Sequence, residues 1–243
     1  MNPLISIIIP SYQHASTLPA CLTSIFAQTY APLEVIVIDD GSTDGTQEAV
    51  APYLDRTHYV RQENSGANVA RNNGFAESKG DYVIFCDADV IMKPEMIQAM
   101  FEALQKNPAV AYAYSSFRFG WKTFSSFPFD ADRLRQMNYV TTTSLIRRED
   151  FPGFDPKLKR FQDWDLWLTI LERGKSGIFI PEMLFEIDNH SGPKRLISAF
   201  GQAPSQWRPS MMYRLPWKWI GWKPKVIAKY EVAREIIREK HKL

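Results

Sequence analysis

The sequence predicts an α/β fold with a doubly wound, mostly parallel sheet flanked by helices, and three observations carry that expectation. Residues 4–9, 33–38 and 82–86 are short, mainly apolar runs without strict alternation, the pattern of strands covered by helices on both faces. Helical patterns lie between them. Leu18, Cys21, Leu22 and Ile25 recur at helical spacing, and residues 45–54 form a second candidate. Acidic residues crowd two of the run ends, as Asp39-Asp40 and Asp87-Ala88-Asp89. Strand and helix in alternation argue for a parallel sheet, whose ligands bind beyond the carboxyl ends of the strands.

The elements follow in chain order. The first run ends in Pro10-Ser11-Tyr12 and the second in DDGSTDGT. Gly41 and Gly45 permit positive φ, and Asp44 suits the cap of a helix near Gly45, with Gln47 reaching back as in a capping box. That turn leaves Asp39 and Asp40 unexplained, because adjacent carboxylates repel unless a donor or cation compensates. A tight turn and a ligand site both stay open here. A fourth run spans 57–61, and a helix is expected near 68–78. Asp87 and Asp89 stand at i and i+2, on one side of an extended segment. Two hard oxygen donors so placed suit Mg²⁺ or Mn²⁺; the plain alternative is a solvated loop.

The second half differs in texture. Residues 112–129 are rich in aromatics, for strand packing or for stacking on sugars. Phe161, Trp164, Trp167, Leu168 and Leu171 form a helical apolar stripe that Gly174 terminates. Asp163 falls in the first turn of that helix, where the dipole favours a carboxylate. Asp165 lies roughly 200° further round, so the two cannot face one substrate. A last strand is expected within 178–187. No linker separates domains before about residue 192, so one body over 1–192 is expected, with halves at about 1–108 and 109–192, followed by an extension over 193–243 that is helical over 226–242.

Composition bounds the function. The chain has 243 residues, 45% hydrophobic and 23% charged, which is ordinary for a globular protein. Two cysteines give neither a disulfide framework nor a thiolate metal cluster. No stretch approaches the roughly 18 apolar residues of a spanning helix, and the first apolar run lacks the features of a signal peptide, so a cytoplasmic setting is expected. The net charge of +2 is uneven: residues 194–243 carry 12 Lys and Arg against 3 Glu, a net of +9, and residues 1–193 a net of −7. With Trp217, Trp219 and Trp222, that tail suits an anionic membrane surface on the cytoplasmic side, or a helix packed on its own domain.

PSYQHASTLPACLTSIFAQTY, VIVIDDGSTDGT, NSGANVARNNGFAESKGDYVIFCDADV and FQDWDLWLTILERG occur in the order found in the family-2 glycosyltransferases, and the chain resembles that family over about residues 4–190. The resemblance implies a GT-A fold, a nucleotide-sugar donor (UDP-sugar foremost), Mg²⁺ or Mn²⁺, and inversion at the anomeric centre. Carried over by position, Pro10, Ser11 and Tyr12 would line the nucleoside pocket and Asp39 would accept a hydrogen bond from the base. Arg71 would touch the nucleotide or donor, Asp87 the ribose or metal, and Asp89 would be the principal metal ligand. His190 would join the metal or the diphosphate, with Lys194 and Arg195 nearby. Asp163 would be the base that deprotonates a hydroxyl of a glycan or lipid-linked glycan acceptor. The family's usual pair at that point is Glu-Asp; this chain has Gln162-Asp163.

Two rivals stand beside this reading. DADV after a strand also resembles haloacid-dehalogenase-type phosphatases, with Asp87 as nucleophile, but two βα units precede it here and DDGSTDGT goes unexplained. The other rival is a nucleotide-sugar-binding module that has lost catalysis. P-loop and dinucleotide-binding glycine motifs are absent, and the nearly balanced charge argues against nucleic acid.

Overall fold

A computed structural model describes residues 2–187 and 225–243. The chain forms β1 (Ile5–Ser11), α1 (Leu18–Phe26), β2 (Leu33–Asp39), α2 (Thr46–Val50), β3 (His58–Arg61) and α3 (Ala67–Glu77). It continues through β4 (Tyr82–Phe85), β5 (Val90–Met92), α4 (Met96–Lys106), β6 (Tyr112–Phe119) and β7 (Lys122–Phe124). After these come α5 (Ala131–Gln136), β8 (Leu145–Arg147), α6 (Gln162–Glu172), β9 (Gly177–Ile187) and α7 (Lys225–His241).

Among the described residues one sheet runs in the order β3-β2-β1-β4-β8-β6-β9-β5, with β7 beside β6. The half from β3 to β4 is wholly parallel, as the apolar runs predict. In the other half β8 runs antiparallel to β4 and β6, β9 parallel to β6, and β5 antiparallel to β9. Alternate residues of a strand point to opposite faces, and β1 divides accordingly. Ile5, Ile7 and Ile9 join one core with residues of α1 and α4. Ile8 joins the other, with Val83, Phe85, Trp164 and Trp167. Every residue of β1 is buried, which explains why it is apolar on both faces apart from Ser6 and Ser11.

The turn after β2 departs from expectation. Asp44 Oδ1 accepts from Thr46 N at 3.2 Å and from its hydroxyl at 2.5 Å, while Oδ2 accepts from Ala15 N at 3.0 Å. Gln47 does not close a capping box; its Oε1 faces Arg61 Nη1 instead. The helix expected over 45–54 stops at Val50 and continues as a single 3₁₀ turn, Ala51–Tyr53, which contains Pro52.

The end of the chain is more integrated than an appendage. Ile237 of α7 is fully buried, and Tyr230 sets its ring edge-on against Phe161 at 5.2 Å. Both pack in the core beneath α6. His190, Lys194, Arg195, Trp217, Trp219 and Trp222 lie outside the described residues. Among the described helices, none is long and apolar enough to cross a membrane.

Candidate active site

The carboxyl ends of β1, β2 and β4 leave the sheet side by side. Backbone bonds extend the ladders past the strands, with Asp40 N donating to Ser11 O at 2.8 Å and Cys86 N to Ile8 O at 2.9 Å. A cavity of about 430 Å³ opens there. Its wall is built by Pro10, Ser11, Tyr12 and His14 after β1, Asp40 after β2, and Asn64, Gly66, Ala67 and Arg71 around the start of α3. Asp87, Ala88 and Asp89 after β4 complete it. Tyr12 is 48% exposed at the mouth, while Ser11 is buried.

Five protein donors answer the question raised by Asp39 and Asp40. Asp39 is fully buried, its Oδ1 accepting from Ser42 N at 2.8 Å and its Oδ2 from the Tyr59 hydroxyl at 2.6 Å. Burial and then this carboxylate push the Tyr59 pKa up. Asp40 Oδ1 accepts from Gln62 Nε2 at 2.7 Å and Ser65 N at 2.8 Å, and its Oδ2 from Gly66 N at 2.8 Å. Asp40 thus pins the loop that starts α3 and contributes to the cavity wall, whereas Asp39 lies behind that wall.

Arg71 is not a surface residue of its helix. Its side chain is 8% exposed, with Nη2 paired to Asp87 Oδ1 at 2.7 Å and Nη1 donating to Asn68 Oδ1 at 3.2 Å. Its guanidinium carbon lies 5.2 Å from the centre of the Phe154 ring, and its Nε is buried without a hydrogen-bond partner.

Asp87 and Asp89 are both half-buried at the cavity. Among the described residues no group of three or more His, Cys, Asp and Glu converges as a closed metal cage. Two hard carboxylates opening on a cavity are instead the donor set of Mg²⁺ or Mn²⁺, which keeps few protein ligands and completes its shell with water and phosphate. The residues present fit such an ion.

Asp163 stands in the first turn of α6, half-buried, its Oδ1 accepting from Trp164 N at 2.9 Å. It does not line the cavity. Asp165 faces the other way, into α7, where His241 and Lys240 meet it. The sequence reading therefore finds Pro10, Ser11, Tyr12, Arg71, Asp87 and Asp89 gathered at one cavity. It leaves Asp40 open and assigns Asp39, which is not in the cavity wall, and it misses His14, Asn64, Gly66 and Ala67. The signal for His14 was its position two residues beyond Tyr12, past a strand end; the other three carry none without knowledge of where α3 begins.

The sequence profile described as Glycosyl transferase family 2 matches residues 6–162. The Bacillus subtilis protein named for a teichuronic acid biosynthesis glycosyltransferase, TuaG, is 30% identical over 201 residues, covering 76% of this chain and 79% of its own. The uncharacterized glycosyltransferase YibD of Escherichia coli is 37% identical over 149 residues, 59% of this chain and 43% of its own. The chain thus spans less than half of YibD. Among solved structures, the mannosyltransferase PcManGT of Pyrobaculum calidifontis, in complex with GDP-Man and Mn²⁺, superposes with a TM-score of 0.69 at 20% identity over 98% of this chain and 70% of its own. TarS 1–349 of S. aureus in complex with UDP-GlcNAc gives 0.66 at 17% identity, over 78% and 59%. With a profile match over most of its length and solved neighbours of the same architecture, the chain belongs to glycosyl transferase family 2 and has the GT-A fold.

Proposed function

We propose that this chain is an inverting glycosyltransferase that moves a sugar from a nucleotide-sugar, UDP-sugar foremost, to a hydroxyl of a glycan or lipid-linked glycan. The observation that carries this reading is the cavity where Asp40, Arg71, Asp87 and Asp89 meet at three adjacent strand ends. The UDP reading draws on the TarS complexes with UDP and UDP-GlcNAc, and GDP is the second nucleotide to test because PcManGT is in complex with GDP-Man. The acceptor class draws on the teichuronic acid biosynthesis in the name of TuaG. Family membership argues against the phosphatase alternative at Asp87.

Pro10, Ser11 and Tyr12 form the nucleoside wall, with the exposed Tyr12 ring available for stacking. We assign the hydrogen bond to the base to Asp40, in place of Asp39, since only Asp40 is part of the wall. Arg71 orients Asp87 and brings positive charge toward the diphosphate. Asp87 and Asp89 would hold Mg²⁺ or Mn²⁺, and His190, outside the described residues, is the further ligand proposed from the sequence. When bound, the ion offsets charge on the departing diphosphate.

Asp163 is the base. The Trp164 N–H and the N-terminus of α6 favour its ionised form. The acceptor oxygen bonds to the anomeric carbon, its proton passes to Asp163, and the diphosphate departs from the opposite side with the bonding electron pair. For the basic segment 194–243, the net charge of +9 supports an anionic membrane surface as partner.

A screen of nucleotide-sugars by thermal shift, with and without Mn²⁺, followed by a transfer assay, tests the reading. UDP-sugars should raise Tm most, and more so with Mn²⁺. Asp163→Ala should cost about 10²–10⁴-fold in kcat, and Asp89→Ala should abolish the Mn²⁺ enhancement. Near-wild-type transfer by either variant would overturn its assigned role.

A further inference from the structure

The last turn of α7 carries a polar cluster that the cavity does not use. Asp165 of α6 is 3% exposed. Its Oδ1 lies 2.8 Å from both His241 Nε2 and Lys240 Nζ. His241 Nδ1 lies 2.8 Å from Oε1 of Glu172, seven residues further along the same helix. Lys240 Nζ also reaches Asp155 Oδ2 at 2.8 Å. A neutral imidazole has one N–H, so only the imidazolium donates to both carboxylates. The charged groups around the ring are Asp165 and Glu172 from α6 and Lys240 from α7, the last tied to Asp155 of the preceding loop. Burial alone would lower the His241 pKa; the hydrogen bonds to Asp165 and Glu172 outweigh it and raise it above the ordinary histidine value.

Both ends of this cluster lead to the proposed machinery. Asp163 sits two residues before Asp165 in the same helical turn, on a different face. On the other side, the loop carrying Asp155 is sewn to α3. Asn72 exchanges two hydrogen bonds with the Phe154 backbone, at 2.8 and 2.9 Å, and Asn68 Nδ2 donates to Asp155 O at 2.7 Å. Arg71 stands between those asparagines, over the Phe154 ring, and holds Asp87.

We propose that His241 and Lys240 are positioning residues, a clasp at the end of α7 that fixes α6 against the 154–158 loop so that Asp163 keeps its working orientation. A protonated His241 closes the clasp fully, and its loss of a proton loosens the bond to one of the two carboxylates. The assignment to Asp163 rests on the base role proposed above; the clasp itself rests on the contacts of α7.

The experiment uses the full chain and three variants, His241→Gln, His241→Arg and Lys240→Met, with kcat, donor KM and Tm followed from about pH 5.5 to 9, the range over which a histidine titrates. Because the folded pKa is raised, the stabilisation is complete below the ordinary histidine value. It is lost as pH rises through the folded value. Wild-type Tm and kcat should fall together across that window. His241→Gln, which never carries charge, should lack this Tm step. Its kcat should be about 10–100-fold lower, the scale of a small misplacement, with donor KM within about twofold. His241→Arg keeps charge and multiple N–H donors and should hold kcat up to higher pH. Lys240→Met gives the same kcat-against-KM split if the arginine variant does not fold. A His241→Gln protein with lower Tm but unchanged kcat and pH profile would overturn the positioning role. An unchanged dependence of Tm on pH would overturn the clasp. Asp163→Asn, assayed alongside, separates the two ideas: its full activity would remove the base assignment while leaving the Tm comparison intact.

Discussion

The Arg71 side chain is 8% exposed, whereas the Asp87 side chain it holds is 44% exposed. The pair is therefore unequal in what each loss leaves behind. Without Arg71, Asp87 keeps access to water. Without Asp87, a nearly buried guanidinium loses its charge partner, and removing one member of a fully buried pair costs about 3–5 kcal/mol. Solvent at Asp87 reduces that to about 1–2 kcal/mol here. A carboxylate kept only for a metal behaves oppositely, since neutralising it without the ion relieves repulsion. Asp87→Ala in chelator should thus unfold at lower urea concentration than wild type, and a midpoint equal to or above wild type would show that Arg71 does not depend on Asp87. The neighbouring acids Asp39 and Asp40 set the limit of reading at this scale. Side chains alternate along an extended chain, so Asp39 turns to Tyr59 and Asp40 to the loop before α3. Which of them meets the cavity depends on the side that α3 covers, and that is a tertiary fact.

At the scale of elements, α3 lies against the strands because Gly74 has no side chain. A Cβ there would stand 2.4 Å from Ile8 Cγ2 and 3.1 Å from Ile38 Cγ1, both fully buried residues. Alanine would gain about 1 kcal/mol in helix propensity, against an overpacking cost of about 1–3 kcal/mol or more. The branched carbons of two packed strands cannot yield cheaply, so the clash wins. Gly74→Ala should lose about 1–2 kcal/mol in urea denaturation and raise donor KM, because Arg71 moves with the helix; equal stability and KM would refute this. The legibility of elements follows their patterning. β1, β2 and β4 are readable because they are buried over most of their length and predominantly apolar, and α6 because its stripe spans three turns. β5, β7 and β8 are three residues each, too short to show a period. Their antiparallel pairing therefore emerges only from the fold.

For the whole molecule, the acidic body and basic tail pointed outward from the sequence, to an anionic partner. Part of that asymmetry closes within the chain: Lys240 and His241 answer Asp155, Asp165 and Glu172. Tyr230, Ala233, Ile237 and His241 recur at helical spacing on the docked face of α7. The stripe was visible in the sequence, but the surface that receives it was not. Docking has a measurable consequence. Ile237 is fully buried, worth about 1.5–3 kcal/mol for such a side chain, and Tyr230 covers Phe161. Removing the helix would also let water reach Asp165, so the ion pairs add less than a buried pair broken by a point mutation. A chain ending before Lys225 should therefore lose about 2–4 kcal/mol, with a lower urea midpoint. The intact chain should unfold in one transition, coincident by near- and far-UV circular dichroism. Salt should lower the midpoint of the intact chain more than that of the truncated one, since it screens the exposed Lys240 pairs. A truncated chain with an unchanged midpoint would mean that α7 rests on the domain without stabilising it, and the basic tail would then be available in full to an outside partner.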